Sequence, residues 1–238
     1  MNHDQLVATL KEVSTATLTM QLLKRGIRQV WMSGPKPLTG GQERIAGPAF
    51  TLRFIPGRED LSGPDVLKRT DLAQRRAIEE CPSGHVLVVD CLQKADGAAI
   101  GDILATRLKV RGVAGLVSDA CVRDADGVIA SQLPVWCPGA AAPASVASLS
   151  DGDLNVPIGC GGVAVIPGDW IVADNDGVVV IPAALVQEVA QGGLEQELHE
   201  QFILQQVKDG AKIPGTYPPN EATRAAYETW RDPEEGED

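Results

Sequence analysis

The dipeptide Arg123-Asp124 follows Asp119 by four residues, and Gly101-Asp102 stands upstream of both. These residue types suit the handling of a small acid. A guanidinium can grip a carboxylate through two parallel hydrogen bonds. A carboxylate oxygen is a hard donor for a divalent cation, and Mg²⁺ takes only one or two protein carboxylates and keeps its waters. The spacing predicts a helix from Ile103 with Asp102 as its cap. The N–H groups of Ile103 and Leu104 are then unpaired donors at the positive end of a helix, where a carboxylate or phosphate binds readily. One guanidinium, two or three carboxylates (Asp102, Asp124, Asp119) and a helix end would share one cleft. The plainer alternative is that Asp102 only caps its helix and Arg123-Asp124 is a solvated turn pair.

Other chemistries find less support. His3, His85 and His199 are far apart, which disfavours a zinc site or a histidine base. Cys81, Cys91, Cys121, Cys137 and Cys160 include no C-x-x-C pair, so free thiols are expected rather than a disulfide framework. A Schiff-base mechanism needs a buried lysine. Lys94 and Lys109 are near in sequence, but a lysine on a helix face is usually solvated.

The surrounding pattern predicts the elements that must hold these groups. Residues 4–26 read as two short helices separated at Ser14-Thr15-Ala16-Thr17, with Gly26 as a stop. A strand over 45–55 precedes a polar segment, 57–63, expected to be mobile, and a helix over 71–80. Buried strands follow at 85–90 and 113–118, flanking the turn at 97–102 and a helix over 103–111. If those strands are neighbours, the loops after them open at one sheet edge, where α/β folds keep their sites. Short strands are predicted at 134–137, 162–166, 170–174 and 177–181, with turns at Pro167-Gly168-Asp169 and Asn175-Asp176-Gly177. A helical region over 182–206, broken at Gly192-Gly193, leads to an extended stretch at 214–219, a short helix over 221–230 and a frayed tail, 232–238. Trp136 is expected in the core, and Ser14-Thr15 as an interior helix cap.

The chain has 238 residues and 44% hydrophobic side chains, enough for a substantial core. A net charge of −11 repels phosphate backbones, and 4% aromatics leaves few stacking platforms, so no nucleic-acid partner is expected. The start, Met1-Asn2-His3-Asp4-Gln5, lacks the features of a secretion signal, and no apolar run is long enough to span a bilayer. A cytoplasmic protein without membrane contact is expected. The α/β reading has one domain over 1–190 and a C-terminal helical extension over 191–238.

Two motifs carry a resemblance. Residues 112–124 read G-x-x-G-x-V-x-D-x-x-x-R-D, and residues 167–182 read P-G-D-x-x-x-x-D-x-D-G-V-V-V-I-P. With the Gly101 turn they resemble the family of the regulator of ribonuclease activity A, which includes the 4-hydroxy-4-methyl-2-oxoglutarate/4-carboxy-4-hydroxy-2-oxoadipate aldolases. The resemblance spans roughly residues 10–190, with Ala120 standing where the family commonly has glycine. It implies a layered αββα sandwich of the swivelling, phosphohistidine-domain-like type. It also implies a homotrimer or a dimer of trimers with the site between subunits. In the aldolase branch it implies that Arg123 contacts a pyruvyl substrate and that Asp124 binds Mg²⁺ or Mn²⁺. Gly101, Asp102, Ile103 and Leu104 would supply the capped turn, with Asp102 moving a proton. A C-terminal glutamate of a neighbouring subunit, Glu195, Glu197 or preferably Glu200, would complete the metal site. The implied activity is a class II pyruvate aldolase acting on 4-hydroxy-2-oxo acids, with oxaloacetate decarboxylation as a side reaction. The alternative branch is a non-catalytic, protein-binding regulator of a ribonuclease. Arg53 and the Arg75-Arg76 pair could bind a distal acid group of the substrate or pair with surface acids.

Overall fold

The structure, a computed structural model, describes residues 1–62 and 64–231. Helix α1 (His3–Glu12) starts with a capping box in which the Asn2 side chain accepts from Gln5 N and the Gln5 side chain accepts from Asn2 N. Ser14 caps α2 (Thr15–Lys24) by accepting from Thr17 N, which is why a polar step divides the two helices. There follow β1 (Lys36–Pro37), β2 (Ile45–Pro56), α3 (Ala73–Glu80), β3 (Val86–Asp90), α4 (Asp102–Val110) and β4 (Gly115–Ser118). Then come α5 (Ala125–Ala130), β5 (Val135–Cys137), β6 (Leu149–Leu154), β7 (Ile158–Cys160) and β8 (Val163–Val165). The chain continues through β9 (Trp170–Asp174), β10 (Gly177–Ile181), the long helix α6 (Val186–Lys208), a short turn α7 (Ile213–Thr216) and α8 (Glu221–Arg231).

Strand β2 joins two half-sheets. Its first residues pair antiparallel with β9, which forms a hairpin with β10. Its later residues pair parallel with β3 and antiparallel with β6. The sheet order is β1-β5-β4-β3-β2-β9-β10, with β3, β4 and β5 parallel. Alternation sorts the side chains of β3. Leu87 and Val89 face one way, into a core with Ala77 and Ile78 of α3, Ala105 and Leu108 of α4 and Val128 of α5. Val86 and Val88 face the other way, into a core shared with Ile171 and Ala173 of β9 and Val178 and Val180 of β10. The opposite face of β9 and β10 (Val172, Val179) packs on Leu10, Leu18 and Leu22 and on Val189 of α6. The sheet is thus bent on itself around an inner core, with helices on both outer faces. Trp136 lies in that inner core, where its Nε1 donates to Asp174 O at 2.8 Å.

The structure departs from the sequence pattern in several places, and strands β1, β6 and β7 and helix α5 have no counterpart in it. Helix α6 runs unbroken through Gly192-Gly193. A Cβ on Gly193 would meet Val13 Cγ1 at 2.7 Å, and one on Gly192 would meet Gln21 Oε1 at 2.6 Å. The glycines therefore allow close helix packing rather than a break. Helix α4 begins at Asp102, one residue earlier than predicted, with Gly101 at its cap position. The 214–219 stretch is not wholly extended, since Ile213–Thr216 makes a turn. Of the 57–63 segment, Gly57 N donates to Ser148 O and Arg58 N to Ser150 Oγ, while residue 63 lies outside the described residues. The tail 232–238 also lies outside them. Among the described residues no helix is long and apolar enough to cross a membrane.

Candidate active site

Strands β3 and β4 are parallel neighbours, so the loops after them open at the same edge. Those loops are joined directly. Ala99 N donates to Cys121 O at 2.8 Å, and Arg123 N donates to Ile100 O at 3.0 Å. Gln74, buried on α3, adds a third tie, its Nε2 donating to Ala99 O at 2.6 Å. The turn before α4 is therefore held alongside the Arg123-Asp124 dipeptide.

The contact between them is close. A Cβ on Gly101 would lie 2.9 Å from Asp124 Oδ2 and 3.1 Å from Arg123 Cγ. Arg123 Nε donates to Asp124 Oδ2 at 3.0 Å, and the two side chains are 43% and 47% exposed. Asp124 has left-handed backbone angles, φ 52° and ψ 47°. Such angles are uncommon outside glycine, tolerated best by Asn and Asp, and cluster at functional sites. Asp102 Oδ1 accepts from Ile103 N at 2.7 Å. The first backbone bond of α4 runs from Ala105 N to Gly101 O, so the amides before it project from the helix end. Gly127 of α5 lets this end approach, since a Cβ there would meet Asp102 Cβ at 2.6 Å. Together Gly101, Asp102, Ile103, Leu104, Arg123 and Asp124 line a cleft of about 430 Å³, with Gln74, Arg75 and Ser145 on its walls.

The structure thus brings Asp102, Arg123 and Asp124 into one cleft and corrects the expectation for Asp119. That residue is buried and accepts from Cys91 N at 2.7 Å, Gln93 N at 3.1 Å and Gly161 N at 3.3 Å. Burial raises its pKa above the ordinary aspartate value, partly offset by those backbone donors. It clamps the loop after β3 and does not line the cleft. The Asp102 side chain does not cap α4 as predicted. It sits at the first helical residue and engages the adjacent amide of Ile103.

Glu200 is half-buried on α6, accepting from Gln196 Nε2 at 2.8 Å, and is not among the residues lining the cleft of its own chain. Glu195 is exposed on the same helix. Glu197 accepts from Ser14 N at 2.8 Å; burial pushes its pKa up, but the Ser14 and Thr17 hydrogen bonds outweigh this and bring it below the usual glutamate value. Lys94 donates to Ser148 O at 3.2 Å and Lys109 is exposed, and neither lines the cleft. The cysteines are all buried and unbridged. Burial pushes the Cys81 thiol up to about 12 and Cys137 to about 11, and holds Cys91 and Cys160 well above the usual range. Such thiols are protonated at neutral pH and make poor nucleophiles. Gln74 was not foreseen. Its signal is a polar residue among Ala73, Ala77 and Ile78 on the buried side of α3.

No group of three or more His, Cys, Asp or Glu forms a metal cage among the described residues. The cleft nonetheless fits a hard, hydrated cation. It offers the Asp124 carboxylate, enough protein donors for a Mg²⁺ that keeps most of its waters, and the missing Cβ of Gly101 leaves space beside Asp124 Oδ2.

Comparison with known proteins identifies a family. A family model described as RraA-like, Aldolase/RraA, matches residues 11–180. A Halalkalibacterium halodurans protein named "Putative 4-hydroxy-4-methyl-2-oxoglutarate aldolase" is 34% identical over 166 residues, covering 70% of this chain and 72% of its own. A Burkholderia mallei protein of the same name is 37% identical over 148 residues, covering 62% of this chain and 81% of its own. Among solved structures, Streptomyces coelicolor RraAS2, described as an unusual member of the RNase ES inhibitor RraA protein family, superposes with a TM-score of 0.73 at 38% identity. That match covers 83% of this chain and 94% of RraAS2.

Proposed function

The chain belongs to the RraA-like family, and from that membership we propose that it is a divalent-metal-dependent lyase releasing pyruvate from 4-hydroxy-2-oxo acids. The observation that carries this reading is the placement of Arg123, Asp124 and Asp102 in one cleft beside the N-terminal end of α4. A regulator acting only through protein contacts needs no such convergence of a guanidinium and two carboxylates.

Arg123 spends its Nε on Asp124, which leaves its terminal nitrogens to hold the substrate carboxylate. The Leu104 amide, and that of Ile103 if Asp102 releases it, adds donors for the same anion. Asp102 takes the proton from the C4 hydroxyl as the C3–C4 bond breaks, and its electron pair passes to C3. Arg123 stabilises the negative charge on the three-carbon fragment. Asp102 then returns the proton to C3, giving pyruvate and a second carbonyl compound. Asp124 would hold Mg²⁺ or Mn²⁺, which when bound supplies a Lewis acid for the 2-oxo group, while Asp102 stays free to move the proton. The same charge stabilisation would serve oxaloacetate decarboxylation.

The proposal extends to a layered αββα sandwich of the swivelling type, with 1–190 as the catalytic unit and 191–238 as its helical extension. It includes a cytoplasmic homotrimer or dimer of trimers in which Glu200 of a neighbouring subunit completes the metal site. The test is pyruvate release from 4-hydroxy-4-methyl-2-oxoglutarate and from oxaloacetate, followed with lactate dehydrogenase. Turnover should require Mg²⁺ or Mn²⁺ and stop with EDTA. Full turnover after complete chelation would exclude the metal mechanism, and trapping by borohydride would replace this reading with an imine mechanism.

A further inference from the structure

We infer that Arg75 is a specificity-determining residue that binds a second acid group of the substrate, at the end remote from the 2-oxo acid held by Arg123. The inference rests on the lyase reading above and adds a residue to it. Arg75 lies on α3 and lines both the 430 Å³ cleft and an adjoining one of about 570 Å³, and Ile103 and Leu104 also border both.

The cations around these two clefts differ in one respect. Arg123 is engaged by Asp124, Lys68 by Asp65 at 2.7 Å, Arg69 by Asp71 at 2.7 Å, Arg76 by Glu80 at 2.8 Å and Arg107 by Glu79 at 2.8 Å. Arg75 is half-buried, and its side chain has no hydrogen bond or ion pair to any described residue. Arg53 is paired with Asp153 and does not line the cleft. Partial desolvation of a guanidinium without a counter-charge is unfavourable, and a carboxylate arriving with a ligand offsets that cost.

The position of Arg75 is also fixed relative to the chemistry. Its neighbour Gln74 donates to Ala99 O, in the turn that leads into Gly101 and Asp102. The N-terminal end of α3 is held further by Asp151, which accepts from Ala73 N at 2.6 Å and Gln74 N at 3.0 Å. Arg75 therefore borders the same space as Arg123 from a different element, as a rigid fork suited to bidentate capture. In the cleavage the distal acid stays on the departing carbonyl fragment, so Arg75 acts on binding and selection and takes no part in proton transfer.

The experiment compares two substrates on the full chain with added Mg²⁺: 4-hydroxy-2-oxoglutarate, which carries the distal carboxylate, and 4-hydroxy-2-oxopentanoate, which carries a methyl group in its place. Wild type should favour the diacid in kcat/KM on the order of 10- to 100-fold, mainly through KM. Arg75→Gln should lower that diacid-to-methyl ratio by about 10-fold or more, and Arg75→Lys should restore part of it. A wild type with no preference, or an Arg75→Gln variant that keeps it, would overturn the inference. Pyruvate from neither substrate would instead overturn the lyase reading. Calorimetry then judges Arg75 separately, with 2-oxoglutarate and 2-oxobutyrate as uncleaved probes. Loss of the diacid preference in Arg75→Gln supports the assignment, and an unchanged preference rejects it.

Discussion

A β-carbon on Gly101 would stand 2.9 Å from Asp124 Oδ2, although the two residues come from different loops. Gly101 does not have the positive φ that would itself require glycine. What excludes a side chain here is the carboxylate. Gly101→Ala should therefore displace Asp124 or Arg123 and lower pyruvate release about 10-fold or more. The melting temperature should change little, because both displaced groups are nearly half exposed. Full activity in this variant would mean that the Asp124 carboxylate is not where the reaction needs it.

Replacing Arg123 by lysine keeps a cation but loses the planar fork. Turnover should fall on the order of 10²- to 10³-fold, as on removal of one preorganised donor to a developing anion. The fold should survive, because an exposed Arg–Asp pair contributes only about 0–1 kcal/mol. Asp124→Asn should lower the affinity for Mn²⁺ as well, a change visible by electron paramagnetic resonance without any substrate. Undiminished Mn²⁺ binding in Asp124→Asn would move the cation elsewhere.

The glycine pair in α6 predicts different outcomes at adjacent positions. Alanine normally improves a helix by about 1 kcal/mol over glycine. At Gly193 the new methyl would meet Val13 Cγ1 at 2.7 Å, inside the packed α1–α2–α6 layer, and overpacking costs about 1–3 kcal/mol. Gly193→Ala should be destabilising in urea titrations. At Gly192 the obstacle is Gln21 Oε1, which accepts from Arg25 Nη1 at 2.9 Å, so the gain in helix propensity is set against about one disturbed hydrogen bond and Gly192→Ala should be near neutral. Equal effects at both sites would contradict the packing geometry.

Glu197 gives a pH dependence of stability. Its carboxylate has a folded pKa below the ordinary glutamate value of 4.5, so its ionised form stabilises the native state above that value. The contribution should fade as pH falls through the lower, folded value. Glu197→Gln should melt below wild type at neutral pH, with a gap of about 1 kcal/mol or less, and the two curves should converge in acid. A gap that stays constant from neutral pH to pH ~3 would remove the assigned role of this carboxylate.

Much of this molecule is written locally. The runs His85-Val86-Leu87-Val88-Val89-Asp90 and Gly115-Leu116-Val117-Ser118 contain their own strand signal, because a strand buried on both faces needs apolar residues at successive positions. Gly101-Asp102 and Arg123-Asp124 could be placed at one edge by following those two strands, and the cleft contains both pairs. Three matters depended on partners remote in the chain. Asp119 looks like Asp124 in sequence, but Gly161 N and the loop amides of Cys91 and Gln93 draw its carboxylate inward. Gly192-Gly193 looks like a helix break until α1 and α2 supply the neighbours that need the space. Arg75 and Arg76 are adjacent arginines, yet one pairs with Glu80 on its own helix and the other faces the cleft. A pattern of apolar spacing is a property of a few consecutive residues, whereas the partner of a charge is set by whichever segments folding brings within hydrogen-bond reach.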